Sequence, residues 1–104
     1  KYAIVGAQTN DKIYYSNDFG VTWIASNSTS ANWGSASMSD SGQYCTFAIG
    51  NANIAYSSNY GVDWTVTSAT TGNGTNAIAI SKNGQYAFVT TYSGRIFICA
   101  ATNV

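Results

Sequence analysis

Apolar and polar residues alternate over short stretches of this chain, and clusters of Gly, Asn, Asp and Ser separate the stretches. Residues Trp33 to Ser39, Tyr44 to Ile49, Ile54 to Ser57 and Val62 to Ser68 each read as a strand. Alternation with period two sends successive side chains to opposite faces of a pleated backbone, and Val, Ile, Tyr and Thr suit that environment. Asp40-Ser41-Gly42, Gly50 to Asn53 and Ser58-Asn59-Tyr60-Gly61 connect them. Gly42, like Gly84 further on, fits the left-handed backbone position that closes a hairpin. No stretch shows a helical period, so the expected fold class is all-β.

The pattern also repeats. Tyr2, Tyr44 and Tyr86 recur every 42 residues, and Ser-Asp-Ser-Gly-Gln-Tyr at 39–44 returns as Ser-Lys-Asn-Gly-Gln-Tyr at 81–86. Ser16-Asn17-Asp18-Phe19-Gly20-Val21-Thr22-Trp23 returns 41 residues later as Ser57-Ser58-Asn59-Tyr60-Gly61-Val62-Asp63-Trp64. A period of this size marks an array of supersecondary units, none able to bury its apolar surface alone. Four antiparallel strands per repeat match one blade of a β-propeller.

On that frame residues 1–26 form a partial blade with its second, third and fourth strands. Residues 33–68 form a complete blade, and residues 75–100 supply strands one to three of another. The 104 residues are thus read as a single repeat domain of about two and a half units. Propellers close with roughly four to eight blades, so a ring is not expected from this chain alone. Unpaired strand edges at both ends are templates for another chain. Joining two three-stranded ends edge to edge would give six strands where a blade takes four. Lys1 opens the chain without an initiator Met, which fits a processed product, an excised fragment or part of a longer array.

The Ser-x-Asp-x-Gly-x-Thr-Trp string resembles the Asp-box, or BNR repeat, of sialidase-like and sortilin-like propellers. Residues 16–23 match it fully, whereas residues 57–64 carry Asn59 in place of the Asp and Asp63 in place of the Thr. In the third unit Cys99 stands where the Ser would be. The roles expected of Ser16, Asp18, Gly20, Trp23, Ser57, Asn59, Gly61 and Trp64 are structural. Asp18 and Asn59 accept hydrogen bonds from amides of their own turn, the glycines take positive φ, and each Trp folds over its hairpin.

The resemblance also implies that these turns lie on the rim away from the usual ligand face. That face would be formed by connections 8–12, 50–53 and 91–95 and by the between-blade loops 26–32 and 68–74. These offer Asn10, Asn32, Trp33, Asn51, Asn53, Tyr92 and Arg95 as candidate ligand-binding residues, the alternative being ordinary polar loops with Trp33 packed between blades. Exposed aromatics beside amides suit a carbohydrate, since a ring stacks on the sugar's apolar face while amides read its hydroxyls.

Charged residues are only 8% of the chain, four basic against four acidic, and the net charge is zero. Nucleic acid and anionic membrane surfaces both call for a basic excess, so neither is an expected partner. No apolar run approaches the roughly 20 residues that span a bilayer. Richness in Ser, Thr, Asn and Tyr points to an extracellular or cell-surface protein, and Asn27-Ser28-Thr29 and Asn73-Gly74-Thr75 are N-glycosylation sequons. Cys45 and Cys99 sit inside expected strands and read as buried free thiols.

The chemistry available is sparse. Sialidase-type catalysis uses an arginine cluster and paired acidic groups, but Arg95 is the single arginine and there is no Glu. Without His there is no Ser-His-Asp or Cys-His pair, and two distant cysteines make a poor zinc site. Neither an enzyme nor a cofactor is expected. The leading expectation is a self-associating structural subunit, forming a ring or a filament through open blade edges. The alternative is a secreted, multivalent carbohydrate-binding module.

Overall fold

The computed structural model describes residues 1–7, 9–49, 54–67, 75–91 and 96–100. It is all-β, with no helix among the described residues. Strands β1 (Ala3–Val5), β2 (Tyr14–Ser16) and β3 (Ile24–Ala25) form one antiparallel sheet. Strands β4 (Trp33–Met38), β5 (Cys45–Ile49), β6 (Ile54–Ser57) and β7 (Thr65–Thr67) form a second. Strands β8 (Thr75–Ile80), β9 (Tyr86–Thr91) and β10 (Ile96–Ala100) form a third. Each strand pairs with its neighbour in sequence, and among the described residues the sheets do not close into a barrel or ring.

The elements follow the alternation closely, with one instructive exception. The strand expected to begin at Val62 begins at Thr65. The amides of Val62 and Asp63 donate to the Asn59 backbone carbonyl and side chain, so they close the turn instead of joining a ladder. The last residue expected in that strand, Ser68, lies outside the described residues. The β4–β5 hairpin closes through Ser39 N–H donating to Tyr44 O at 2.8 Å, and β8–β9 repeats it with Ser81 and Tyr86 at 2.7 Å.

Alternation decides which sheet each side chain meets. Cys45, Phe47 and Ala55 point to the first sheet and pack with Ile13, Trp33 and Trp64, flanked by Ile4, Ala31 and Met38. The opposite face of the same strands presents Ala48 and Ile54 to Ile78 of the third sheet. Phe47 is the hub of the first cluster, meeting Trp33 and Trp64 edge-on with ring centroids 5.7 and 5.8 Å away. Edge-on aromatic pairs of this kind contribute about 0.5–1.5 kcal/mol each beyond their buried area.

The repeat sets how closely the sheets approach. The Gly42 turn abuts Tyr2, and one period later the Gly84 turn abuts Tyr44. A β-carbon at Gly42 would come within 2.9 Å of Tyr2, and one at Gly84 would overlap the Tyr44 side chain. Both glycines also have positive φ, 83° and 78°, so backbone geometry and close packing select the same residue. Between the second and third sheets the Ile78 and Ile80 amides donate to Ser35 and Ser37 hydroxyls.

Candidate functional site

Two copies of one turn dominate the polar geometry. In the first, the Ser16 hydroxyl accepts from Gly20 N–H at 2.9 Å and donates to Asp18 at 2.8 Å. The Asp18 carboxylate accepts from both the amide and the hydroxyl of Thr22. The Thr22 hydroxyl, the Thr22 amide and the Ser16 hydroxyl hold the Asp18 carboxyl at about 2, below the usual carboxylate range. In the second, Ser57 makes the same contacts with Gly61 and Asn59 at 3.0 Å. Gly20 and Gly61 have φ of 82° and 84°. All of these bonds are internal to the turns, as a structural role requires.

Within each turn the residue before the glycine is also left-handed: Phe19 has φ 63° and Tyr60 has φ 64°. That conformation is uncommon for a bulky side chain and stores local strain. In both copies the aromatic amide is anchored identically, Phe19 N–H to Lys1 O and Tyr60 N–H to Gln43 O, each at 3.0 Å. The surroundings then diverge. Tyr60 lies on Tyr2 with ring centroids 4.3 Å apart, whereas Phe19 is 80% exposed. Trp64 is 8% exposed and its indole N–H donates to Gly61 O at 2.7 Å, but Trp23 is 43% exposed. Val5, the repeat-mate of buried Phe47, is also exposed.

The loop candidates are placed differently from one another. Asn10 and Asn32 come together, the Asn10 amide donating to the Asn32 side-chain oxygen at 2.8 Å, and both are exposed. Trp33 is 1% exposed, and its indole N–H donates to Asp11 O at 2.7 Å. Its ring belongs to the core between the first two sheets and offers no face to a ligand. Asn51, Asn53, Tyr92, Arg95 and the sequon residue Asn73 lie outside the described residues.

The between-sheet loop that carries Asn27 is docked rather than open. Ser26 and Ser28 are buried, with Ser28 Oγ accepting from Ile13 N–H at 2.8 Å and Ser26 N–H donating to Ile13 O at 2.9 Å. Asn27 is exposed, yet its side-chain oxygen accepts from Trp64 N–H at 2.8 Å and clamps the second turn onto the first sheet. These buried serines were not legible in advance, because Ser in a loop ordinarily signals solvent.

Cys45 is a buried free thiol whose Sγ–H donates to Gly42 O, and burial pushes it up to about 12. Cys99 falls in β10. At the hairpin-turn end of the second and third sheets, Asp40, Ser41, Ser81, Lys82, Asn83 and Tyr86 line an open groove. It sits at the ends of β4 and β8 where those hairpins turn, beside Tyr86, which is 49% exposed. Phe88, two residues along β9, is 43% exposed. Sequence reasoning missed Val5, Phe19, Tyr86 and Phe88 as a group, although their repeat positions could have flagged them.

No helix among the described residues is long and apolar enough to cross a membrane. No known family model matches the chain, and no characterised protein matches it.

Proposed function

We propose that this chain is a non-catalytic, extracellular repeat protein of the Asp-box propeller type, working as a structural subunit that associates with other copies of itself. One observation carries the reading. Side chains whose repeat-mates are covered inside the molecule are exposed on the first sheet: Trp23 against buried Trp64, and Phe19 against Tyr60, which lies on Tyr2, while Tyr86 and Phe88 are exposed on the third sheet. Among the described residues β1 pairs with β2 and β10 with β9, each at the end of its sheet order. Exposed apolar surface of this kind favours a protein partner. The inventory without His or Glu supports a role that needs no catalysis. Sedimentation velocity across a concentration series tests it: the expected result is a mass that grows with concentration, and a monomer throughout defeats the reading.

A carbohydrate-binding role is the second reading, favoured by the groove around Tyr86. Its half-exposed ring stands among Asp40, Ser41, Ser81, Lys82 and Asn83, a set able to stack on a sugar and bond its hydroxyls. A glycan array in which wild type binds and Tyr86→Ala does not would support this reading; no binding to any glycan would remove it.

A further inference from the structure

We infer that a second copy of this chain seats its first sheet on the outer face of the third sheet, with Phe19 of one copy stacked on Tyr86 of the other. The inference rests on the self-association reading and specifies its contact.

The template is inside the molecule. Where the second sheet meets the first, Tyr60 lies on Tyr2 at 4.3 Å. Gly61 comes so close that a β-carbon there would be 2.8 Å from Ile4. Phe19 and Gly20 occupy the repeat positions of Tyr60 and Gly61, while Tyr86 and Phe88 occupy those of Tyr2 and Ile4. One outer sheet therefore presents the donor half of this contact and the other presents the receiving half. Both halves are exposed: Phe19 by 80%, Tyr86 by 49% and Phe88 by 43%.

Strain points the same way. Phe19 is held at φ 63° by the same amide anchor that poses Tyr60, although its ring touches no aromatic partner of its own among the described residues. An unfavourable backbone conformation that aims an aromatic ring at solvent fits a residue posed for a partner. Both faces expose large apolar side chains and the chain carries no net charge, so copies do not repel one another. Stacking faces also avoids the six-stranded sheet that edge pairing would produce, because each three-stranded sheet remains a separate layer. Head and tail are different surfaces, so the contact is heterologous and generates a ring if its rotation closes or a filament if it does not.

Complementation tests this with the intact chain, by sedimentation velocity with circular dichroism as the folding control. Phe19→Asn removes the head while keeping a residue that tolerates left-handed backbone. Tyr86→Ser removes the tail, with Phe88→Ser as its replacement if that variant unfolds. Each variant alone is expected to remain monomeric, its association weakened roughly 30-fold or more, as for an interface hot spot. Mixing the two should yield a 1:1 dimer and nothing larger, since one good head meets one good tail and growth stops. Val66→Ser, an exposed apolar position outside both faces, should assemble like wild type. Head and tail variants that assemble normally would overturn this contact while leaving self-association intact by another surface. A mixture that stays monomeric would overturn the head-to-tail pairing, and a monomeric wild type would overturn the association reading as well.

Discussion

Asn59 donates its side-chain amide to the Asp63 carboxylate at 2.8 Å. In the first copy of the turn the polarity is reversed, with the Thr22 hydroxyl donating to Asp18. The two departures of the second copy from the first are therefore one coupled exchange of donor and acceptor. Both versions leave the third position with an oxygen that accepts the amide four residues on, Thr22 N–H or Asp63 N–H, at 2.9 Å.

That coupling predicts a double-mutant result. Asn59→Asp alone sets two carboxylates against each other and removes a donor, and should cost about 1–2 kcal/mol in urea unfolding. Adding Asp63→Thr restores the first-copy arrangement and should bring stability back within about 0.5 kcal/mol of wild type. Strictly additive losses would show that the pair is not coupled.

Asp18 gives a pH prediction with a definite sign. Its folded-state pKa, about 2, is below the unfolded value of about 3.9. The folded state thus binds fewer protons in that window, and the contribution is complete above the unfolded value. It is lost as pH falls from about 4 to about 2. Thermal midpoints of Asp18→Asn should fall less steeply than wild type over this interval; parallel curves would contradict the assignment.

Cys45 works in the opposite pH direction. Its folded pKa of about 12 exceeds the unfolded value of about 8.5, so the native state holds its proton longer. Stability should decline as pH rises from about 8.5 towards 12, and Cys45→Ala should flatten that decline. In a Cys99→Ala background the thiol should react with a disulfide reagent only as fast as the chain opens.

The two tryptophans of the repeated turn should differ in cost. Trp64→Ala empties a site in the central cluster and should destabilise by about 3–5 kcal/mol. Trp23→Ala, at a half-open position, should cost the isolated chain less than about 2 kcal/mol. Equal losses in denaturant titrations would mean that the outer face is already covered.

Thr46 is buried, and its hydroxyl has no hydrogen-bond partner among the described residues. Thr46→Val keeps the shape and removes the unpartnered polar atom, so it should stabilise by about 1 kcal/mol in thermal unfolding. A loss of stability would show that this hydroxyl has a partner.

The strands, both kinds of turn and the repeat were legible from residue order, because period-two alternation and the φ demands of Gly42, Gly61 and Gly84 are local. Local rules also anticipated the Ser16 and Asp18 bonds, whose partners all lie within four residues. Burial was a different matter. Trp23 and Trp64 have nearly the same neighbours in sequence, and Trp33 could be read either as a ligand residue or as packed between repeat units, the second being what the structure shows. Whether Trp23 or Trp64 is covered depends on whether another sheet lies opposite, and stacking of sheets joins residues far apart in the chain. Only the tertiary structure could place Asn27 on Trp64 and Tyr60 on Tyr2 while leaving Phe19 bare.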